Sequence, residues 1–385
     1  MSYMLSNRPT CDTTSVQSSA LNDLTCRLAQ ERLLDIDSFL WVLNYTPLCR
    51  NIRIPFHTTK SLHLRHTSHT TDQAIMPIHH FFKHDETLIL DGGLATALEA
   101  NGYDLNSRLW SAQILQDHPD AIYQVHLDYY NAGADIATTA SYQASVATLR
   151  ENLDLSVTQS KDLIRRSVEL AHQARQEVLK THPKRRLLIA GSVGPYGAYL
   201  SNGAEYTGAY SLPEAQMQAF HRDRIAALLE AGVDLLACET MPNIPEIRAL
   251  LNLLQHEFPR CKAWLSCTLR DAGHLADGTA VEEMLALAGR SPQVVAVGFN
   301  CIPEQLAAPA LANVRMRLDA DLPLVVYPNS GETYDAVTKR WHGERQKGQA
   351  VRELAREWHA LGARYIGGCC RTNAEDIANM AAALR

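Results

Sequence analysis

Three cysteines of this 385-residue chain stand directly after two strand-like stretches. Cys301 follows the β-branched run 294–300, and Cys369 and Cys370 follow a second run that ends in two glycines. Three thiolates can bind Zn²⁺ and leave its fourth tetrahedral position open, which is the arrangement of catalytic rather than structural zinc sites. The pattern therefore predicts a three-cysteine zinc centre that acts on a ligand able to bind the metal, such as a substrate thiol.

Two carboxylates fall at the ends of other strand-like runs. Asp91 is followed by Gly92 and Gly93, which allow close approach of a ligand to the backbone, and Glu239 ends the run 234–239. A carboxylate at such a position suits the binding of a substrate ammonium group. Two plainer interpretations stay open at this point: a tight turn at Asp91 and a buried ion pair at Glu239.

The remaining cysteines and histidines carry weaker signals. The chain has nine cysteines and no CxxC motif, so metal binding or simple burial is favoured over disulfide formation. Cys238, Cys261 and Cys267 are predicted to be small buried residues. His126 lies within a helical pattern and is predicted to serve packing or the surface rather than metal binding.

Composition excludes two classes of partner. The formal net charge of −6 leaves no basic footprint, so nucleic acid is not expected as a partner. No apolar run approaches the roughly 18 to 20 residues that a membrane helix needs, and the N-terminus lacks the pattern of a secretory signal. We therefore expect no membrane partner and a cytoplasmic protein.

The chain divides near residue 75. Residues 1–75 are rich in Ser, Thr, His and Arg, poor in Gly, and show no sustained periodicity. We expect this segment to be an N-terminal extension that is poorly ordered or not native, with Met76 as a second candidate start. Residues 76–385 are predicted to form the folded domain.

Short β-branched runs alternate with longer helical patterns from residue 87 onward. This alternation predicts parallel βα units, and eight of them favour a closed (β/α)₈ TIM barrel over an open doubly wound sheet. The active site of such a barrel lies at the C-terminal strand ends, where strands six and eight would bring the three cysteines together. The predicted strands are 87–91, 134–140, 187–192, 234–239, 263–268, 294–300, 323–328 and 363–368.

Helix starts are predicted from capping residues. Ser211 with Glu214 and Thr372 with Glu375 have the spacing of a capping box, in which a side chain caps the first free backbone N–H groups. Asn243, followed by an Ile-Pro pair, is a third predicted start.

Three motifs together resemble the signatures of the homocysteine S-methyltransferase family. They are Asp91-Gly92-Gly93, the Gly-Phe-Asn-Cys that ends at Cys301, and the Gly-Gly-Cys-Cys at 367–370. The stretches 126–130, 190–199 and 326–332 are most similar to the S-methylmethionine-dependent enzymes of bacteria and plants. The resemblance runs from about Thr87 to the C-terminus and does not cover residues 1–75.

The resemblance implies a zinc-dependent barrel that methylates L-homocysteine to methionine. Carried over residue by residue, it implies zinc ligands at Cys301, Cys369 and Cys370. It also implies homocysteine contacts at Asp91, Gly92, Gly93 and Glu239. The implied donor is a sulfonium, either S-methylmethionine or S-adenosylmethionine, and an aromatic residue such as Tyr142 or Tyr196 is expected to help bind its positive charge.

Two other functions remain open from the sequence. One is a zinc-binding or thiol-sensing barrel without turnover. The other is a metal-independent barrel enzyme that binds a phosphate ligand, because the glycine-containing segments 329–331 and 367–368 follow the last two strands, where barrels often bind phosphate.

Overall fold

A computed structural model describes the folded domain of the chain. The predicted N-terminal extension, residues 1–75, and the candidate start Met76 lie outside the described residues. The domain boundary therefore stays a prediction. The described residues are 86–103, 105, 111–318, 322–335 and 340–385.

Eight parallel strands form the barrel within this part of the chain. Seven pairs of neighbouring strands are hydrogen-bonded, and the strands follow one another around the ring in their order along the chain. The ring closes between its first and second strands, where Leu90 bridges Ile136 in parallel and the backbone N–H of Asp91 donates to the carbonyl of Ile136 at 3.1 Å. The predicted TIM barrel is confirmed, and the barrel strands are β1 (Leu88–Ile89), β2 (Ile136–Thr138), β3 (Leu188–Val193), β4 (Leu235–Met241), β5 (Ala263–Cys267), β8 (Val294–Asn300), β9 (Leu324–Tyr327) and β12 (Ala363–Ile366).

Two antiparallel hairpins interrupt the βα alternation. The first, β6 (Leu269–Asp271) with β7 (His274–Leu275), follows β5, and the second, β10 (Thr333–Asp335) with β11 (Arg340–His342), follows β9. No helix among the described residues has the length and apolar character needed to cross a membrane. The helices are Leu94–Ala100, Ser111–Asp117, Pro119–Ala132, Val146–Leu153, Val157–Thr181, Tyr196–Leu200, Glu214–Glu230, Ile244–Glu257, Val281–Ala288, Glu304–Arg315, Gln349–Ala360 and Ala374–Leu384.

Strand alternation divides the core into two layers. Ile89 and Ile189 belong to the larger cluster that packs the strands against the helices, whereas their sequence neighbours face the barrel interior. Small and large side chains are mixed in that interior, as filling a narrow barrel requires. The interior cluster comprises Leu88, Leu90, Ile136, Leu188, Ala190, Leu235, Ala237, Trp264, Ala296, Val325, Tyr327 and Tyr365.

One of the three predicted helix starts is confirmed, and two are displaced. The side chain of Asn243 caps its helix by accepting from the Glu246 N–H at 3.0 Å. The predicted capping box at Ser211 is wrong, because Pro213 forces the preceding residue into extended backbone and the helix begins only at Glu214.

The last helix is capped one residue later than predicted. Asn373 forms the capping box with Asp376. Thr372 is not free to cap, since its hydroxyl donates to the Cys369 carbonyl at 2.7 Å.

His126 is a packing residue. Its side chain is fully buried in the helix Pro119–Ala132, and neither ring nitrogen has a hydrogen-bond partner among the described residues. Burial lowers the pKa of this histidine from 6.5 to about 4. The folded protein therefore holds a neutral imidazole at a pH where the unfolded chain would protonate it.

We expect this group to make stability depend on pH. Below pH 6.5 the histidine is protonated in the unfolded chain, whereas His126 stays neutral in the folded protein until about pH 4. The free energy of unfolding should therefore fall by about 2 kcal/mol between pH 8 and pH 5. Denaturant unfolding of wild type and His126→Leu across this range measures the difference. His342→Leu, at an exposed position, is the control. Parallel pH profiles for wild type and His126→Leu would contradict the prediction.

Candidate active site

The three predicted cysteines meet at the C-terminal mouth of the barrel. The Sγ atom of Cys301 lies 2.7 Å from that of Cys369 and 3.6 Å from that of Cys370, and the Cys369 and Cys370 sulfurs are 4.0 Å apart. All three side chains are partly buried. The structure therefore brings together thiols that are separated by 68 and 69 positions in the chain.

Cys301 is held in an uncommon backbone conformation. Its φ angle is +53°, and that of Thr240, at the neighbouring end of β4, is +62°. The Asn300 side chain links the two ends, since its Oδ1 accepts from the Thr240 N–H at 2.7 Å and its Nδ2 donates to the Thr240 hydroxyl at 2.8 Å. Left-handed backbone at residues other than glycine is costly and persists where surrounding contacts impose it. Asn300 supplies such contacts and so fixes the direction of the Cys301 side chain.

The last strand delivers Cys369 and Cys370 through a close approach of backbone segments. A methyl group on Gly367 would lie 2.6 Å from the Leu90 side chain, and one on Gly93 would lie 2.6 Å from the Cys369 carbonyl oxygen. Both distances are shorter than a Cβ atom tolerates, so these positions exclude larger residues. The glycines therefore let the two cysteines sit directly against the first βα turn.

The sulfur cluster fits a tetrahedral metal ion. Zinc–sulfur bonds of about 2.3 Å place neighbouring sulfurs about 3.8 Å apart, and two of the three observed separations lie close to that value. The third, between Cys301 and Cys369, requires these side chains to move apart by about 1 Å. Hydrogen bonds from the Cys301 and Cys369 thiols hold the pKa of Cys370 well below its usual range, which favours the binding of a cation by this sulfur.

Asp91 lies in the same pocket, on the floor formed by the strand ends. Its carboxylate accepts from the Thr138 N–H at 2.6 Å and from the Thr138 hydroxyl at 2.9 Å. Burial raises the pKa of Asp91 to about 7, against the lowering effect of these bonds, and the nearby Glu239 adds to the rise. A buried carboxylate of this kind gains from a cationic partner.

Glu239 is held by hydroxyl groups. It accepts a short hydrogen bond from Ser192 and another from the Tyr327 hydroxyl at 3.1 Å. Tyr327 in turn is fixed by the Trp264 indole N–H at 2.9 Å and by Ser266 at 2.6 Å. Burial raises the pKa of Glu239 to about 7. The buried ion pair that the sequence left open for Glu239 is therefore not found among the described residues.

One pocket joins all of these groups. It has an empty volume of about 920 Å³, counting its open mouth. Gly92 and Gly93 line it beside Asp91, whereas none of its described lining residues is Lys or Arg. The pocket therefore offers carboxyl and thiol groups without a basic side chain among its described lining residues, which suits cationic ligands.

Glu205 and Tyr206 were missed by sequence reasoning, and Tyr196 was misplaced. Glu205 and Tyr206 line the pocket, and burial raises the pKa of Glu205 to about 7. Tyr142 lines the pocket as predicted for a residue near the donor, but Tyr196 packs against Phe220 instead, with ring centroids 5.1 Å apart. The only available signal for Glu205 was its position in the long segment after a glycine-rich strand end.

A buried network of hydrogen bonds supports this segment. Glu246 is fully buried, pairs with His221 at 2.8 Å and accepts from the Tyr196 N–H at 2.7 Å. Next to it, Arg224 donates to the carbonyls of Tyr142 at 2.7 Å and Gly194 at 2.6 Å. These bonds hold the backbone of the two segments that carry Tyr142 and Tyr196.

The other cysteines of the described chain behave as the sequence indicated. Cys238, Cys261 and Cys267 are buried and are not among the residues that line the pocket. Among the described cysteines, those that line the pocket are therefore the three of the cluster at the barrel mouth.

A closed parallel barrel with a three-thiol cluster in an acidic pocket defines a class of barrel enzymes built around a metal-binding site. The family described as Homocysteine S-methyltransferase matches residues 88–384. The chain belongs to this family and is accordingly a methyltransferase. The resemblance drawn from the three motifs is confirmed.

Similar proteins cover almost the whole barrel. The chain is 51% identical over 307 residues to the homocysteine S-methyltransferase of Escherichia coli (strain K12), covering 80% of this chain and 98% of that protein. It is 44% identical over 310 residues to homocysteine S-methyltransferase YbgG of Bacillus subtilis (strain 168), covering 80% and 97%. The crystal structure of the metallated form of the homocysteine methyltransferase MmuM from Escherichia coli matches with a TM-score of 0.71 at 49% identity, covering 80% and 99%.

Proposed function

We propose that this protein is a zinc-dependent enzyme that transfers a methyl group from the sulfonium S-methylmethionine to L-homocysteine, giving methionine. The observation that carries the proposal is the convergence of three thiols beside two buried carboxylates in one pocket. The metallated form of a relative with 49% identity supports a metal at this cluster. The bulkier S-adenosylmethionine is the second candidate donor.

Asp91 and Glu239 are proposed to bind the ammonium group of homocysteine. Both are buried, and both lie within the pocket that contains the sulfurs. A bound ammonium would offset the burial that raises their pKa values, so that both carboxylates carry charge in the complex. Gly92 and Gly93 leave room for the amino-acid backbone of the substrate next to them.

Cys301, Cys369 and Cys370 are proposed to hold the metal. Zinc bound there would supply an open position that takes the acceptor sulfur and favours its thiolate, since a free thiol of pKa near 8.5 is mostly protonated at neutral pH. A cluster of three cysteines has to stay reduced for this role, which favours a reducing compartment such as the cytoplasm.

The donor needs little acid or base catalysis. The acceptor sulfur attacks the methyl carbon, the bond from that carbon to the donor sulfur breaks, and its electron pair leaves with a neutral thioether. No proton has to be given to the leaving group, so the task of the pocket is to align the two sulfurs and the carbon. Tyr142 lies in the pocket wall where it can contact the donor.

The two other functions left open by the sequence have less support. Three carboxylates and no Lys or Arg among the described lining residues make the pocket unsuitable for a phosphate ligand. A thiol-sensing barrel without turnover would share the sulfur cluster, and only an activity measurement separates it from the proposed enzyme.

Turnover with two donors tests the proposal. Purified full-length protein with zinc and deuterated homocysteine should form deuterated methionine with S-methylmethionine, and more slowly with S-adenosylmethionine, whose adenosyl group needs additional room in the pocket. Mass spectrometry distinguishes methionine made from the acceptor from methionine released by the donor. Absence of deuterated methionine with both sulfoniums would exclude the function.

Zinc content tests the sulfur ligands. Cys301→Ala should reduce bound zinc from one per chain to a trace and turnover to less than about one hundredth, because loss of a ligand exceeds the 10- to 100-fold effects of residues that only support one. Elemental analysis and the methionine assay measure both. Cys261→Ala, a buried cysteine away from the pocket, is the control and should keep its zinc. Full zinc occupancy in Cys301→Ala would show that the ligands are assigned wrongly.

Substitution of Glu239 tests acceptor binding. Glu239→Gln keeps the shape of the side chain but removes its charge, so the KM for homocysteine should rise about 10- to 100-fold with zinc content unchanged. Glu353→Gln, on an exposed helix face, should behave as wild type. An unchanged KM in Glu239→Gln would remove Glu239 from the acceptor site.

A further inference from the structure

The Glu205 side chain stands apart from the other two carboxylates of the pocket. Its Oε2 atom is buried and has no hydrogen-bond partner among the described residues. Asp91 and Glu239, in contrast, each accept two hydrogen bonds from neighbouring groups. A carboxylate oxygen that is withdrawn from water and left unpaired is costly, and a cationic ligand is the partner that would offset this cost.

Glu205 is rigidly placed rather than accidentally buried. It belongs to the short 3₁₀ helix Ala204–Tyr206 in the segment between β3 and the helix Glu214–Glu230. Its carbonyl accepts from the Thr268 hydroxyl at 2.8 Å. A methyl group on Gly197 would come within 2.6 Å of its backbone nitrogen, so the two backbone segments are in close contact. The backbone that carries this side chain is thus fixed by the fold.

The surroundings of Glu205 are aromatic and close to the sulfur cluster. Tyr206, the next residue, places its hydroxyl 3.9 Å from the Cys301 Sγ atom, and Tyr142 lines the same wall. Aromatic rings and a carboxylate together form a favourable environment for a soft organic cation. The strand-end carboxylates lie on the pocket floor, whereas Glu205 comes from the segment above it, so the two sets can bind different cationic groups.

We propose that Glu205, with Tyr142 and Tyr206, binds the sulfonium group of the methyl donor, an inference that rests on the proposed function. In the transfer, the methyl carbon forms its new bond to the homocysteine sulfur, and the electron pair of the broken bond returns to the donor sulfur, which becomes a neutral thioether. The charge that Glu205 binds therefore disappears from the donor. Glu205 accordingly favours the substrate over the leaving product and selects for a charged sulfur.

A pair of ligands that differ only in charge provides the test. In 2-amino-5-methylhexanoic acid a CH group replaces the sulfonium sulfur of S-methylmethionine, so its shape, ammonium and carboxylate are matched but the cation is missing. Calorimetric titration of the zinc-loaded protein with each ligand measures the preference. We expect wild type to favour the sulfonium by about 10- to 100-fold, as for a hydrogen-bonded charge in a buried site.

Two substitutions locate the source of that preference. Glu205→Gln should lose most of the sulfonium preference and raise the KM for S-methylmethionine about 10-fold or more, with zinc content and the KM for homocysteine unchanged. Glu205→Asp keeps the charge and should keep the sign of the preference. Glu353→Gln should match wild type.

The outcomes separate this inference from the proposed function. Wild-type protein that makes no methionine from any sulfonium overturns the proposed function. Active wild-type protein whose Glu205→Gln variant keeps the full sulfonium preference, or loses affinity equally for both ligands, overturns the inference alone, since equal loss would place Glu205 at the donor ammonium. A wild-type preference below about 3-fold overturns it without any variant.

Discussion

The end of β9 is the constraint on which the rest of the site depends, because it lies between the two strands that carry the cysteines. The Tyr327 carbonyl accepts from the Cys301 N–H at 3.3 Å, and the Pro328 carbonyl accepts from the Cys369 N–H at 2.8 Å. The Asn329 side chain adds a bond from the Cys370 N–H at 3.2 Å. One short segment therefore sets the separation of all three sulfurs, and the sulfur cluster follows from ordinary parallel-sheet hydrogen bonding continued beyond the strand ends.

Buried negative charge is the second organising feature. Asp91, Glu205 and Glu239 line one pocket together with the sulfur cluster, and burial raises the pKa of each carboxyl to about 7. Such an arrangement is unfavourable on its own and becomes favourable when cations arrive. A divalent metal, an ammonium and a sulfonium are the cations that the proposed reaction would bring. The electrostatics of the empty pocket and the charges of the proposed ligands are thus complementary.

Two helices supply the buried side chains that hold the segments next to the pocket. The helix Glu214–Glu230 contributes His221 and Arg224, and the helix Ile244–Glu257 contributes Glu246, to a network without exposed members. Their hydrogen bonds end on backbone groups of the segments that carry Tyr142 and Tyr196. Removal of one partner would leave a buried polar group without its hydrogen bond, so the network keeps these segments in one arrangement.

Local pattern alone determined much of this protein. Strand periodicity specified the eight barrel strands, and the three thiols, Asp91 and Glu239 were found because strand ends in a parallel barrel share one face. Helix starts were less predictable: the Thr372 hydroxyl also accepts from the Gly93 N–H at 3.2 Å, a contact between residues 279 positions apart that no capping rule includes. Tertiary structure alone decided the closure through Leu90 and Ile136, the link between Asn300 and Thr240, and the unpaired oxygen of Glu205. Periodicity records which face of an element is buried, whereas hydrogen-bond partners and burial of single atoms depend on residues distant in sequence.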